Sequence, residues 1–397
     1  MVSFSNLTFD KVPFAKLELD TSLANLSGSQ PFSVLILGKT KEKVVGKKPI
    51  RVTGREAAGA KFGKDSAIYG MVDQFLSINR STPLWVLPFT EEAALDTSEA
   101  APLEGKESFK SRLESLKDAN QFNIAISEWN DVDHLGIIGA IYGTLATADI
   151  SREGLVFSAV YGTRTEISDF EKTKDINFKF MTIAASPPLK TKNSDGTEAE
   201  FPAFRLSAAI AATVALEAEK SPGRPFNGLT IQNVPAYDRE AEYTREELNG
   251  LVGDGFSVYR LNGDGVPEIL RMVTTYTQDS AGTPDDSFQN INDFFIASRL
   301  RFRWVNYFHK KYVSQRYMLA GDDDPVPAGA MILQPKMAKA EALAIFEGWQ
   351  DEGLVKNAKL FQQSLIVEYN KKGIMEFSFN AAFIDQLLGL AAKLFKM

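Results

Sequence analysis

The sequence contains no cysteine, which excludes a disulfide framework, a thiol nucleophile and a thiolate-bound metal site. It has only two histidines, His134 and His309, and they stand in no HExxH or other metal-ligand spacing. No apolar run reaches the roughly 18 residues that a membrane span needs, so we expect no membrane insertion. The opening residues MVSFSN have neither the basic start nor the apolar centre of a secretory signal, so we expect folding in a cytoplasm.

Basic residues are also in deficit, with 44 Lys and Arg against 51 Asp and Glu, which gives a formal net charge of -7. Nucleic-acid binding depends largely on neutralising phosphates, so nucleic acid is not an expected partner. The 397 residues exceed the roughly 250 to 300 at which a single core stops growing. We therefore expect two packed domains.

Between residues 32 and 220, apolar runs typical of buried strands alternate with stretches of helical periodicity. This alternation predicts an α/β domain with a doubly wound, flavodoxin-like sheet. The predicted strands are 32–37, 84–89, 122–126, 155–160 and 178–183. The predicted helices lie around 57–78, 108–117, 132–147 and 203–220.

A turn-rich segment, Ser221-Pro222-Gly223-Arg224-Pro225, marks the predicted boundary of this domain. The chain beyond it mixes strands, Gly/Asp turns and two longer helices, which predicts an α+β C-terminal domain over 226–385. The helices are expected at 291–312 and 336–352. A β-hairpin is expected at 365–379, with its turn at 370–373.

Extended arms are predicted at both ends of the chain, over residues 1–22 and 386–397. The first arm alternates apolar and polar residues, as in a strand with one wet face. The second is apolar and too short to form a core, so it requires a partner surface. The alternative for the second arm is an amphipathic helix over 384–395 that packs on its own domain.

A search for chemistry finds no catalytic constellation. Gly38-Lys39-Thr40 resembles the end of a P-loop, but the upstream glycine would fall at Ser33, so a plain strand-to-loop turn is the better interpretation. The two Gly-Asp-Gly segments at 253–255 and 263–265 fit turns, and the acidic run 322–324 fits a solvated loop better than a cation site. We therefore predict no enzyme, no cofactor, no metal, and structural roles for both histidines.

One segment departs from the acidic background. Basic residues crowd together with aromatic ones, and two interpretations stay open, a surface for an acidic partner or a solvated helix face. The basic residues are Arg299, Arg301, Arg303, His309, Lys310, Lys311 and Arg316.

Ordered stretches along the chain, strongest after residue 220, resemble the tail sheath proteins of Mu-like phages. They are 223–230 (GRPFNGLT), 271–277 (RMVTTYT), 299–308 (RLRFRWVNYF), 335–342 (PKMAKAEA) and 365–368 (LIVE), with weaker likeness at 83–88 and 156–163. None of these is a catalytic motif, so the resemblance depends on their order along most of the chain.

This resemblance implies a structural subunit that stacks in hexameric rings as a helical sheath around a tail tube. Contraction would drive the tube through the host envelope, and the expected partners are other copies, the tube protein, the baseplate and the tail terminator. The expected location is the virion, after assembly in the host cytoplasm. The rivals are a flavodoxin-like enzyme or nucleotide binder and a tube or capsid subunit.

Within this scheme the α/β domain over 23–225 is expected outside and the C-terminal domain faces the tube. Strands and tails donated between subunits would form the joints, and an extended arm of twenty residues would reach about 65 Å. The candidate residues of the intersubunit arms are Val2, Phe4, Leu17, Leu19, Val367, Tyr369, Phe377, Leu390, Leu394 and Phe395. The candidates for the tube-facing surface are Lys336, Lys339, Arg299 and Arg303.

Overall fold

The structure is a computed structural model, which describes residues 32–42, 46, 48–90, 108–172, 176–192, 196–370 and 372–394. The strands are β1 (Val34–Lys39), β2 (Ile50–Val52), β3 (Leu84–Phe89), β4 (Ile124–Ser127), β5 (Leu155–Tyr161), β6 (Met181–Ser186), β7 (Lys190–Lys192), β8 (Glu198–Glu200), β9 (Phe256–Leu261), β10 (Pro267–Arg271), β11 (Met318–Leu319), β12 (Ile332–Leu333), β13 (Val355–Lys356), β14 (Ile366–Tyr369), β15 (Met375–Ser378) and β16 (Ala382–Phe383). The α-helices are α1 (Arg55–Phe62), α2 (Ala67–Ile78), α3 (Phe109–Glu114), α4 (Val132–Leu145), α5 (Arg164–Lys172), α6 (Ala203–Lys220), α7 (Arg245–Gly253), α8 (Ile291–Phe308), α9 (Pro335–Asp351) and α10 (Ala358–Ser364).

Residues between 34 and 271 form an eight-stranded sheet, in the order β10-β9-β6-β5-β4-β1-β3-β2. The central pairings from β3 to β9 are parallel, and β2 and β10 are added antiparallel at the two edges. The five predicted strands correspond to β1, β3, β4, β5 and β6, which stand in the spatial order 2-1-3-4-5. The prediction of a mixed α/β fold with a parallel sheet is therefore confirmed.

Successive residues of β1 explain why its sequence is a continuous apolar run. Val34 and Ile36 point into one core, while Leu35 and Leu37 point into the other. Since strand side chains alternate between faces, both faces of the sheet are covered. Helices α1, α2 and α6 contribute to the first core, and α3, α4, α5 and α7 to the second.

The single helix expected around 57–78 is instead two helices. Gly63 takes a φ of 83°, which ends α1, and the Ser66 hydroxyl accepts a hydrogen bond from the Tyr69 N–H at the start of α2. A glycine in the left-handed conformation ends one helix, and a serine N-cap begins the next. The spacing of apolar residues does not change at this point, so periodicity alone predicts a single helix.

The turn at 221–225 does not end the sheet, in contrast to the predicted domain boundary. Strand β9 pairs with β6, and β10 extends the sheet further. Without β9, the backbone donors and acceptors on that side of β6 would lack a strand partner, so a later segment of the chain completes the sheet. Phe226, Ile231 and Ile269 accordingly belong to the same core as α6.

The change of core falls inside α8. Phe294 and Phe295 pack in the sheet core, whereas Ile296 and Leu300 pack in a separate core that continues to Ala381. We call residues 32–295 the sheet unit and residues 296–394 the C-terminal unit.

The C-terminal unit contains short strands, most of α8, the 17-residue helix α9 and the seven-residue helix α10. Helix α8 continues into a π-helical turn at His309–Val313, and α9 buries a stripe of Ala338, Ala342, Ile345, Phe346 and Trp349. Its strands form two-stranded ribbons, β11 with β12, β13 with β16 and β14 with β15. The predicted hairpin is confirmed as β14 and β15.

Candidate assembly surfaces

The hairpin of β14 and β15 is an antiparallel ribbon to which no third strand is added within the described ranges. Val367 lies opposite Phe377, and both pack against the core of the C-terminal unit, where the Phe377 ring lies 5.0 Å from that of Trp304. Tyr369 is half-buried. The side chains of Val367 and Phe377 thus pack in the subunit's own core. The outer backbone edges are the part of the hairpin that another strand could use.

The C-terminal tail runs past the last strand without regular structure over the described residues 384–394. The Ile384 N–H donates to the Leu354 carbonyl at 3.1 Å, and the Gln386 side chain donates to the Gly223 carbonyl at 2.8 Å. Beyond this anchor Leu390 is 91% exposed and Leu394 is 94% exposed. The alternative of an amphipathic helix packed on its own domain is therefore wrong for these residues, because neither the helix nor the burial is present.

The other predicted arm residues lie outside the described part of the chain. They are Val2, Phe4, Leu17 and Leu19 of the first arm and Phe395 of the second.

The two lysine candidates for a tube-facing surface are exposed on the first turns of α9. The Lys336 N–H donates to an Asp322 carboxylate oxygen at 2.9 Å, and its ammonium donates to the Asp322 carbonyl at 3.1 Å. Asp322 therefore caps α9, which explains one member of the acidic run. Lys339, one turn on, is exposed as well.

The two arginine candidates instead have partners inside the chain. The Arg299 guanidinium donates to the carbonyls of Ala218, at 3.2 Å, and Glu219 at the C-terminal end of α6. Arg303 is ion-paired with Glu352 and its side chain is largely buried. These contacts disfavour a tube-facing role for both arginines, because the charge of Arg299 is engaged at the junction of the two units and that of Arg303 is paired within the C-terminal unit.

A buried ion pair fixes α8 to the sheet unit. Arg301 and Glu153 are 2.9 Å apart, with side chains 2% and 3% exposed. The same guanidinium donates to the carbonyls of Ala146, at 3.0 Å, and Thr147, at 3.1 Å, just after the end of α4. The remaining Glu153 oxygen accepts from the Ser298 hydroxyl at 3.1 Å. Every one of these contacts crosses from α8 to the sheet unit.

Arg299 and Arg301 together place α8 across both faces of the sheet. Arg299 bonds the end of α6, which covers one face, and Arg301 bonds the end of α4, which covers the other. Cations are favoured at helix C-termini because the last carbonyls lack helical partners. Sequence reasoning found the cationic segment but missed Glu153, since one acidic residue in a loop among 51 gives no signal for an ion pair 148 residues away.

The switch point of the doubly wound sheet, where ligands bind in enzymes of this architecture, has a cavity of about 540 Å³. Lys39, Thr40 and the start of α2 line it, as an anion site would require. However, the Glu128 carboxylate accepts the Lys39 N–H at 2.5 Å and pairs with its ammonium at 3.4 Å. A carboxylate thus holds the position that a phosphate would need, which disfavours the nucleotide-binding rival.

Other chemistry is equally sparse in the described part of the chain. It contains no group of three or more His, Asp or Glu side chains that could hold a metal ion, and no helix in it is long and apolar enough to cross a membrane.

His134 stacks on Trp129, with ring centroids 5.3 Å apart, and bonds to Asp131, the N-cap of α4. Gly255 and Gly265 take φ values of 84° and 76°, as expected for the two predicted Gly-Asp-Gly turns.

Comparison with curated proteins finds the Mu-like prophage FluMu tail sheath protein of Haemophilus influenzae (strain ATCC 51907 / DSM 11121 / KW20 / Rd), 27% identical over 255 residues. The match covers 63% of this chain and 48% of the relative, so the chain spans about half the length of the curated relative it matches. No family model matches. The resemblance to Mu-like tail sheath proteins that the sequence indicates is confirmed by this relative.

Solved structures of sheath proteins share the fold over nearly the whole chain. The sheath tail protein of Desulfitobacterium hafniense gives a TM-score of 0.59 at 10% identity, covering 91% of this chain and 95% of its own. The contracted helical sheath of the anti-feeding prophage gives 0.58 at 13% identity, covering 98% and 100%. The contracted PVC sheath of an extracellular contractile injection system gives 0.60 at 10% identity, covering 100% and 98%. The fold is that of contractile sheath subunits.

Proposed function

We propose that the chain is a structural subunit of a contractile tail sheath. It polymerises helically around a tail tube, and contraction of the polymer drives the tube through a host envelope. The observation that carries the proposal is the shared fold over 91–100% of this chain with the sheaths of contractile systems. The curated relative named as a Mu-like tail sheath protein supports it independently.

The exposed tail supports polymerisation in particular. Leucines at 387, 388, 390 and 394 are all exposed beyond the anchor at Gln386. Water contact with four leucines is unfavourable by about 1.5 kcal/mol or more for each side chain that could be buried. Burial against a neighbouring copy removes this cost, so the tail is one half of an intersubunit joint. The hairpin edge of a neighbour is the other half, through strand addition.

Joints of this kind link one patch of a subunit to a different patch of the next. Such heterologous contacts propagate as rings or open helices, which is what a sheath requires. The N-terminal arm, residues 1–22, supplies a second link of the same type. Because linkers flex while paired strands stay joined, the lattice can shorten without losing connectivity.

The subunit moves as a rigid body in this mechanism, with the sheet unit outside and the C-terminal unit facing the tube. The Arg301–Glu153 pair and the Arg299 contacts support rigidity, since they join α8 to both faces of the sheet. Lys336 and Lys339 are the remaining tube-facing candidates. The strand order 2-1-3-4-5 supports assigning the sheet as flavodoxin-like, here used as a scaffold.

No enzymatic step is part of the proposal. The free energy for contraction comes from a metastable extended lattice that converts into a contracted one with more buried surface between subunits. The proposed partners are other copies, the tube protein, the baseplate and the tail terminator. The proposed location is the virion, with assembly in the host cytoplasm.

Electron microscopy of the purified full-length protein tests the proposal. Helical cylinders with a hollow centre wide enough for a tube support a sheath subunit. Monodisperse monomers whose melting temperature rises with nucleotides or flavins would favour the enzyme rival. Solid closed shells or narrow tubes without contraction would favour a capsid or tube subunit.

A further inference from the structure

The two ends of the eight-stranded sheet carry charges of opposite sign at the same edge. Strands β1, β4, β5, β6 and β9 are parallel, so all of them end at one edge, which we call the carboxyl edge. The outermost strands, β2 and β10, run antiparallel to their neighbours and therefore begin at this edge. We call Lys41, Lys48 and Arg51 the basic corner, and Glu240 and Asp264 the acidic corner.

The basic corner lies on the β2 side of the sheet. Residues 39–51 contain six basic side chains and one acidic one, although the whole chain has a formal net charge of -7. Lys41 follows β1, Lys48 precedes β2, and Arg51 lies on β2 itself. All three side chains are exposed, and none of them has an ion-pair partner among the residues that the structure describes.

The acidic corner lies on the β10 side. Residues 238–268 contain eight acidic side chains and three basic ones. Asp264 is exposed in the turn between β9 and β10. Glu240 is exposed in a short helical turn that follows Tyr237, whose hydroxyl accepts the Leu261 N–H at 3.2 Å and so holds this segment at the end of β9.

The two corners are too far apart to neutralise each other within one subunit. They lie at the outermost strands of an eight-stranded sheet, and seven strand spacings amount to about 34 Å. The Debye length is about 8 Å at physiological salt, so an attraction over this distance is screened. Each corner therefore attracts an opposite charge from outside the subunit.

We propose that the basic corner of one copy faces the acidic corner of its neighbour, so that the sheet units of adjacent copies associate side by side. This inference rests on the proposed sheath function and adds a salt-sensitive lateral contact to the joints of the C-terminal unit. The partner is a second copy, because one chain carries both of the complementary charges. The contact joins two different patches, so it propagates from copy to copy. Like corners repel, which determines which ends meet.

Cysteine crosslinking tests the placement, because the native chain has no cysteine. The variant with both Lys48→Cys and Asp264→Cys cannot close a disulfide within one subunit, since that requires Cα atoms within about 7 Å of each other. Oxidation of its assembled polymer should give a ladder of covalent dimers, trimers and longer chains on a non-reducing gel. Each single-cysteine variant should stay monomeric on the same gel. A missing ladder from polymer that forms normally, or dimers of a single variant, would overturn the placement.

A charge swap tests the recognition itself. Lys48→Glu and Asp264→Lys should each raise the protein concentration needed for assembly about threefold or more, because like charges then meet at the contact. The double variant exchanges the two charges, so it should assemble within about twofold of the native concentration. Added salt should reduce the difference between Lys48→Glu and the native chain, because screening weakens the repulsion. A defect that the double variant retains in full would contradict the pairing.

Arg80→Glu is the matched control. It makes the same charge change at an exposed position between α2 and β3, at the opposite edge of the sheet, and should assemble like the native chain. Equal assembly of Arg80→Glu and Lys48→Glu would show that the basic corner makes no specific contact. Failure of the native chain itself to form cylinders would instead count against the sheath proposal.

Discussion

The sheet unit and the C-terminal unit manage their exposed surfaces in opposite ways. The sheet unit completes an eight-stranded sheet, ends it with antiparallel edge strands of three and five residues, and covers both faces with helices. The described C-terminal unit has only two-stranded ribbons and leaves Leu390 and Leu394 in water. Short edge strands and covered sheet faces disfavour association with other chains, whereas ribbons with unpaired edges and exposed apolar tails favour it. Assembly is therefore expected to depend chiefly on the C-terminal unit.

Helix α8 belongs to both units. Its first turns belong to the core of the sheet unit and its later turns to that of the C-terminal unit. Arg299 and Arg301 bond the ends of helices on both sheet faces. Helix α8 thus joins the two units, and the Gln386–Gly223 hydrogen bond adds a second contact between them.

The largest expected effect comes from breaking the ion pair that links the units. Arg301→Ala leaves Glu153 buried without its cation, and should lower the free energy of unfolding by about 3–5 kcal/mol. Denaturant unfolding followed by both tryptophan fluorescence and circular dichroism measures it, and the two units should then unfold in separate steps. The apolar pair Arg301→Met with Glu153→Leu is the matched control and should recover most of the loss. A single unchanged transition in Arg301→Ala would mean that α8 is not held by this contact.

A smaller, pH-dependent effect is expected at Asp293, near the start of α8 and the root of the tail. Burial raises its pKa to about 6, although Asn290 and Arg271 partly oppose the shift and Asp385 adds to it. The folded state therefore prefers the protonated acid, so this contribution to stability is complete below about pH 4 and is lost as the pH rises through 6.

Asp293→Asn mimics the protonated acid at every pH. It should stabilise the protein by about 1–3 kcal/mol at pH 8 and by little at pH 4, measured as the difference in unfolding free energy from the native chain. Because the other acidic groups titrate in both proteins, the difference isolates this group. An equal gain at both pH values would assign the effect to packing instead of ionisation.

Truncation after Asp385 should barely change stability. The residues removed are mostly exposed, so the melting temperature of the isolated subunit should move by no more than a degree or two, equivalent to under about 0.5 kcal/mol. Polymerisation, measured by sedimentation, should be lost. A clear drop in melting temperature would show that the tail stabilises its own subunit.

The smallest effect on stability is expected from reversing the exposed lysines of α9. Lys336→Glu with Lys339→Glu should change the unfolding free energy by under about 0.5 kcal/mol, since surface substitutions seldom do more. Tube-templated assembly should weaken more than polymerisation without the tube. Lys61→Glu with Lys64→Glu is the control, since these residues have the same spacing and are exposed at the end of α1 and in the turn after it. Equal loss in both assays would remove α9 from the tube-facing surface.

The sequence by itself determined the local elements and the kind of protein. Continuous apolar runs predict the central strands, period-3.6 patterns predict helices such as α6, which has its full predicted length, and alternation predicts the hairpin, because these depend on residues close in the chain. The lack of cysteine excludes a disulfide, and Ser33 in place of the upstream glycine excludes a complete P-loop motif, because both follow from residue identity alone. Ordered likeness along the chain indicated the resemblance to Mu-like tail sheath proteins that the curated relative confirms.

Only the tertiary structure decided how distant segments combine. No local pattern shows that β9 pairs with β6 across more than seventy residues, so the sheet continues past the turn that looks like a boundary. Arg299 and Arg301 look like part of a cationic surface in sequence, but contacts with α6 and Glu153 place them at the junction of the units, and Arg303 pairs with Glu352 within the C-terminal unit. The sequence gives the sign of each side-chain charge. The partner of that side chain and its exposure depend on which surfaces the fold brings together.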